Sequence, residues 1–305
     1  MHPTPTVKLG GAMMAMATSD LEGARRWYAE DIAAVAPVAP GSRVVEAFAH
    51  VAREDFLGPG PWQLHSRLDL GRTHLTADTD PRHLYHDVLV TIAAASGINN
   101  GLPSLWARVF EALAIRPGAR VLQVGAGTGY YTAILAELVG ASGRVLAYEV
   151  EPDLAARAAA ALAPWPQVAI IARDATTAHD LPAFDVLVAC AGATHVPADW
   201  LAALPVGGRM MLPMTGSDRW GFLMHLQRTP TALPVRSLGP CGFYPCAGAR
   251  KLDEARALSQ ALTAGSGAVK AYQLGAPPKN AAVWMQAAGF WISRKAVGAL
   301  GDHEG

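Results

Sequence analysis

Residues 120–149 read RVLQVGAGTGYYTAILAELVGASGRVLAYE. The apolar run Val121-Leu122-Gln123-Val124 is too short for a helix and suits a buried strand. Gly125, Gly127 and Gly129 follow at alternate positions, and apolar residues then recur at helical spacing at Tyr131, Ile134, Leu135 and Leu138. A second strand, Arg144 to Tyr148, ends on an acid, Glu149. Strand, glycine turn, helix, strand and acid together describe a nucleotide-type site. The glycines let the chain turn sharply and bring bare backbone against a ligand, because no Cβ intervenes. Glu149, at the carboxyl edge of the neighbouring strand, is placed to accept hydrogen bonds from two ribose hydroxyls.

Two related motifs are excluded. A dinucleotide fingerprint requires a third glycine three residues after the second, where this chain has Tyr130. A phosphate-cradling loop requires Gly-Lys-Ser/Thr, and the stretch has no lysine. The spacing G-x-G-x-G with an acid ending the next strand instead resembles class I S-adenosylmethionine-dependent methyltransferases. That resemblance implies S-adenosyl-L-methionine as cofactor. The expected contacts are Gly125, Ala126, Gly127, Thr128 and Gly129 in the turn, Glu149 and Val150 after the second strand, Asp174 and Ala175 after the third, and Ala191 after the fourth.

With 305 residues, 51% of them apolar, the chain can bury a sizeable core. Lys+Arg and Asp+Glu are equal at 25 each, so bulk charge points to neither nucleic acid nor an acidic membrane. Three cysteines without regular spacing suggest a reducing compartment, hence a cytoplasmic protein, and no Cys/His cluster has metal-ligand spacing. No apolar run reaches the ~18 residues of a spanning helix.

Residues 1–19 are patternless and expected to be disordered, although Gly10 to Ala17 imitates a short signal-type apolar region. Residues 20–115 form an N-terminal, substrate-side segment. Its helices are expected over Asp20–Val35, Arg43–Val51 and Leu102–Leu113, with loop over 63–83 and a strand over Tyr85–Ile92. Residues 116–250 form the cofactor-binding core. After Glu149 come a helix over Glu151–Ala163 and strands over Val168–Ala172 and Phe184–Cys190. A helix over Pro197–Leu204 precedes strands over Arg209–Pro213, Trp220–Leu226 and Val235–Pro245. This alternation predicts an α/β, doubly wound, mainly parallel seven-stranded sheet of the Rossmann-like methyltransferase type, with two late strands able to pair antiparallel. Residues 251–305 are a C-terminal extension: a helix over Leu252–Leu262, a loose stretch over Gly265–Gly275, and an aromatic, strand-like run over 281–293 suited to covering an exposed edge.

Several blocks make a narrower resemblance. Val44-Val45-Glu46-Ala47-Phe48-Ala49-His50-Val51-Ala52-Arg53-Glu54-Asp55-Phe56 resembles the early helix and V-x-R-E-x-F ending of protein-L-isoaspartate O-methyltransferases. Tyr85-His86-Asp87, Ile92 and Ile98 match that family's Y-x-D strand and the approach to its T-I-S motif. Phe184-Asp185, Val196-Pro197, Pro205 to Arg209, Leu212-Pro213 and Phe243-Tyr244-Pro245 resemble its later blocks. The similarity spans roughly residues 25–250. It implies an adenine-edge role for Asp174 and places the acceptor at Ile98, Asn99 and Asn100. The family's active-site serine falls on Asn99, and the proline after it is displaced to Pro103, which implies two inserted residues. The Asn99 amide can donate to a carboxylate as a hydroxyl does, or Asn99 can be an ordinary turn residue.

A carboxylate acceptor is already ionised at neutral pH and needs only alignment and exclusion of water. A hydroxyl or amine acceptor needs a base. Of ten histidines, His195, after the fourth strand, is the best placed to act as that base or to touch substrate. Three functions remain open: methylation of a carboxyl group on a peptide or protein, including a dedicated biosynthetic peptide; methylation of a small molecule; or a non-catalytic module that binds the cofactor.

Overall fold

The computed structural model describes residues 9–66, 69 and 71–296, and two compact units divide at residues 111 and 112. In the first unit, α1 (Leu9–Val35) packs against α2 (Arg43–His50). Helix α1 begins at Leu9, so the stretch expected to be disordered, 1–19, is helical from there on; residues 1–8 lie outside the described residues. Ser42 caps α2 by accepting from the Val44 N–H at 3.2 Å, and Val44, Val45, Ala47 and Phe48 turn inward. The apolar spacing therefore becomes a buried stripe, each side chain contributing ~1.5–3 kcal/mol on full burial.

Residues 63–83, expected as loop, hold two short strands, β1 (Gln63–His65) and β2 (Thr73–Leu75). Three-residue strands carry too little period-2 pattern to be seen in sequence. They join β3 (Leu89–Ala93) and β4 (Ile98–Asn99) in a four-stranded sheet of order β2-β1-β3-β4. Helix α3 (Pro103–Leu113) follows.

The second unit is a single ten-stranded sheet with helices. In chain order its elements are β5 (Arg120–Val124), α4 (Tyr130–Val139), β6 (Arg144–Glu149), α5 (Pro152–Ala161), β7 (Val168–Ala172) and β8 (Val186–Ala189). Next come α6 (Ala198–Ala203), β9 (Arg209–Thr215), β10 (Trp220–Gln227) and β11 (Leu233–Gly242). Last are α7 (Leu252–Leu262), β12 (Ala271–Leu274), β13 (Val283–Ala287) and β14 (Phe290–Ser293). The strand order is β13-β14-β12-β11-β10-β9-β8-β5-β6-β7. Pairing is parallel from β9 through β8, β5 and β6 to β7, and antiparallel at every other step.

The expectation of a mainly parallel seven-stranded sheet is therefore corrected to a mixed sheet of ten. The three extra strands come from the extension. Strand β12 pairs along β11, including within the stretch expected to be loose, and the aromatic run folds back on itself as the β13–β14 hairpin. They share one core with the parallel strands: Leu122, Val124, Trp200, Met214, Phe222, Tyr272, Trp284 and Phe290 belong to one buried cluster. Trp284 meets Phe222 edge-on at 5.5 Å and donates its indole N–H to the Gly265 carbonyl at 2.9 Å. Such ring pairs add ~0.5–1.5 kcal/mol beyond area burial, so the extension is integral to the sheet. Cys190, Cys241 and Cys246 form no disulfide, and no helix among the described residues is long and apolar enough to cross a membrane.

Candidate active site

Strands β8, β5, β6 and β7 are parallel neighbours, so their carboxyl ends gather the residues that follow them. After β5, the N–H groups of Gly125 and Ala126 donate to the Tyr148 carbonyl at 2.8 and 3.0 Å, tying the turn to β6. Gly125, Gly127 and Gly129 have φ of +82°, +58° and +98°, the left-handed region where a Cβ is strained. The Gly127 N–H donates to Glu149 Oε2 at 2.6 Å, and the Glu151 N–H donates to Oε1 at 3.0 Å. Thr128 is buried in the same turn, and Val150 is exposed just beyond Glu149.

Glu149 is 5% exposed. Burial pushes its carboxyl above the ordinary value of 4.5, and the backbone N–H groups of Glu151, Gly127 and Val150 act against that shift. A carboxylate has about four lone-pair sites, so after the contacts from Gly127, Glu151 and Val150 it keeps acceptor capacity for a ribose hydroxyl. The donor set fits an adenosyl cofactor. Glu149→Ala is expected to weaken S-adenosylmethionine binding roughly ten- to a hundredfold, the cost of a charge-assisted hydrogen bond, ~1.5–3 kcal/mol. Calorimetry that found an unchanged affinity in a folded variant would refute that role.

After β7, Asp174 Oδ1 accepts from the Thr176 N–H at 2.8 Å and its hydroxyl at 2.9 Å. Ala175 is buried, with its carbonyl accepting from Trp200 Nε1 at 3.3 Å. A Cβ on Gly248 would stand 3.0 Å from Asp174 Oδ2 and 1.8 Å from Thr176 Oγ1, so the segment after β11 lies directly on this turn. After β8, the Cys190 N–H donates to the Val124 carbonyl at 2.7 Å and Ala191 is half-buried. Arg250 secures the next residues: Nη1 donates to the carbonyls of Gly192 and Thr215 at 3.2 and 3.1 Å, and Nη2 to that of Gly216 at 2.7 Å. Nothing in the spacing of Arg250 signals this.

Ile98, Asn99 and Asn100 belong to the first unit. Ile98 and Asn99 pair with Ala93 and Thr91 across β3–β4. Asn99 Oδ1 accepts from the Gly101 N–H at 3.0 Å, an Asx-type turn. Asn100 is buried: its Oδ1 accepts from the Val90 N–H at 3.0 Å and from Arg53 Nη2 at 3.4 Å. Arg53 also donates to the carbonyls of Leu84, His86 and Val88. Asp87 receives the N–H and hydroxyl of Ser104 at 2.8 and 2.7 Å in the first turn of α3. Tyr85 donates to Glu54 and accepts from Arg25 Nε at 3.1 Å. Arg53, Glu54, Tyr85 and Asp87 thus brace the segments on either side of residues 97–101. In sequence they marked a resemblance, without a role.

His195 meets a partner that the sequence did not suggest. Its Nδ1 lies 2.6 Å from Glu254 Oε2, on the first turn of α7. Fifty-nine residues separate the two, so no local pattern could have linked them. Among the described residues no group of three or more His, Cys, Asp or Glu is placed to hold a metal ion.

Residues 66–251 match the family described as Protein-L-isoaspartate(D-aspartate) O-methyltransferase. The chain is 34% identical over 168 residues to a protein-L-isoaspartate O-methyltransferase of Ignicoccus hospitalis, covering 54% of this chain and 79% of the relative. It is 32% identical over 218 residues to one of Methanopyrus kandleri, covering 70% and 87%. Among solved structures it resembles a Plasmodium falciparum protein described as a protein-L-isoaspartate O-methyltransferase in complex with S-adenosyl-L-homocysteine. The TM-score is 0.58 at 17% identity, over 73% of this chain and 98% of that one, which is a likeness of fold. The family match, the relatives and the acid-clasped glycine turn agree: this chain is a member of the protein-L-isoaspartate O-methyltransferase family of S-adenosylmethionine-dependent enzymes.

Proposed function

We propose that this enzyme methylates a carboxyl group on a dedicated peptide or protein substrate rather than repairing isoaspartate in damaged proteins. The observation that carries this reading is Asn99. It stands where the family resemblance expects serine, with its side-chain carbonyl committed to the Gly101 N–H. A serine hydroxyl both donates and accepts, whereas an asparagine meets a carboxylate only through its amide N–H₂. The stretch from Asn99 to Pro103 is also two residues longer than the resemblance implies, which alters the shape that an isoaspartyl backbone would have to fit.

When bound, S-adenosylmethionine supplies an electrophilic methyl group on a sulfonium. The chain's part is to hold the adenosyl portion through Glu149 and the glycine turn, and to align an ionised acceptor while excluding water. A carboxylate acceptor requires no proton removal, so this reading asks for no general base.

The test is methyl transfer from tritium-labelled cofactor to an isoaspartyl peptide and to a panel of acidic peptides, scored as methanol released by mild base. Base-labile label on acidic peptides is expected to exceed that on the isoaspartyl peptide. Base-stable label would overturn the carboxyl reading, and preference for the isoaspartyl peptide would restore repair. Asn99→Ala is expected to lower turnover roughly ten- to a hundredfold with little change in cofactor affinity, because the amide holds the acceptor and not the cofactor. Full turnover in that variant would remove Asn99 from the acceptor site.

A further inference from the structure

The second unit contains a cleft of about 820 Å³ that shares no lining residue with the glycine turn, Glu149, Asp174 or Ala191. One wall is helix α6 with His195 and Val196 before it; the other is built by the extension, through α7, β12 and the β13–β14 turn. Its volume is that of sites that enclose small organic ligands.

Its charges have one sign toward a ligand. Glu254 is the acidic residue in the lining, and its side chain is 1% exposed. Both its oxygens are engaged: Oε2 with the Thr194 hydroxyl and His195 Nδ1, each at 2.6 Å, and Oε1 with Lys251 Nζ at 3.1 Å. These hydrogen bonds hold its carboxyl below the usual range, against the burial that would raise it. Glu254 therefore stays ionised and inward, unable to meet an external cation. The charged groups left facing the cleft are cations. Lys251 is 58% exposed and has N–H donors beyond the one given to Glu254, Arg228 lies at the end lined by Thr229 and Thr231, and His195, donating through Nδ1, presents Nε2 as an acceptor. Arg228 is itself anchored through Nη1 to the Leu201 and Leu204 carbonyls at 2.7 and 2.8 Å, at the end of α6. Between the cations run apolar side chains, Leu201, Leu233 and Phe290.

We propose that this cleft is a second ligand site, which takes a carboxylate borne on an apolar body, with the carboxylate at Lys251 and the body against Leu201, Leu233 and Phe290. It is separate from the acceptor reading above, and its test reads binding rather than methyl transfer, so either can fail alone.

Full-length protein saturated with S-adenosylhomocysteine, to fill the cofactor site, is titrated by calorimetry with phenylbutyrate, and in parallel with phenylbutyramide and phenylbutylamine. The acid is expected to bind at one site, about tenfold tighter than the amide, with the amine weakest, as for a charge-assisted contact. Lys251→Glu, at an exposed position, is expected to weaken the acid about tenfold or more. Ala202→Trp, which fills the cleft from the exposed face of α6, is expected to abolish binding of acid and amide alike. Failure of the acid to bind, equal binding of acid and amine, or unchanged affinity in both variants would overturn the site.

Discussion

Arg53→Leu is expected to destabilise the first unit by roughly 3–5 kcal/mol, read as a shift in urea unfolding. Arg53 is fully buried, and its fork donates to the carbonyls of Leu84, His86 and Val88 at 2.7, 3.1 and 2.6 Å. These carbonyls belong to an irregular turn with no strand partner to replace the guanidinium. Leucine fills part of the volume but satisfies none of them, and each buried acceptor left open costs ~1–3 kcal/mol. The guanidinium also lies 5.8 Å from the centre of the Tyr28 ring, an interaction that leucine turns into ordinary packing. Arg53→Lys should recover only part of the loss, since a point charge cannot span three carbonyls and Asn100 together. A loss below about 1 kcal/mol in Arg53→Leu would show that the turn finds other partners.

The prediction bears on function because the same arginine reaches Asn100, beside Asn99, the residue proposed to hold the acceptor. An Arg53→Lys variant that stays folded should therefore impair turnover more than cofactor affinity.

How far the sequence could be read depends on the range of the interactions concerned. The glycine turn and its acid lie within one strand–helix–strand unit, where spacing alone dictates which groups meet. Glu149 does clasp Gly127, and Val168–Ala172 and Leu252–Leu262 have the boundaries that periodicity suggests. The strand count failed because β12 lies in a stretch read as loose, and the run over 281–293, read as strand-like cover for an edge, folds into two strands that extend the sheet beyond β12. Gly265–Gly275 has no alternation strong enough to announce a strand by itself. The partners of His195, Arg53 and Arg250 are tens of residues away in sequence, and such polar contacts leave no periodic trace. Asn99 is a different case. Its identity was plain, but whether it turns the chain or meets a ligand depends on where its carbonyl points, and that oxygen accepts from Gly101.

The glycine turn makes a prediction about binding. Gly127 has φ of +58°, which a β-branched residue tolerates poorly, at a cost of ~1–2 kcal/mol. Valine there has two courses. If the turn keeps its shape, the strain is borne with and without cofactor and affinity changes little on that account. If the turn relaxes, the Gly127 N–H leaves Glu149, and the acid loses the donor that holds it at 2.6 Å. The second course applies where the chain yields: the turn is held by its bonds to Tyr148 and Glu149 and by the Gly129 N–H to the Ala126 carbonyl at 3.0 Å, and a valine Cβ cannot be accommodated by rotamer changes. Binding must then restore the strain that relaxation relieved, at most ~1–2 kcal/mol since re-forming the clasp is favourable, so affinity for S-adenosylhomocysteine should fall by up to about five- to thirtyfold. Gly127→Ala, with less bulk, should fall short of that, and Thr128→Ser, in the same turn but without a change of backbone preference, should bind nearly as the parent does. Calorimetry on variants with unchanged circular dichroism would decide it: a Gly127→Val protein that binds like the parent would mean that the turn does not shape the cofactor site.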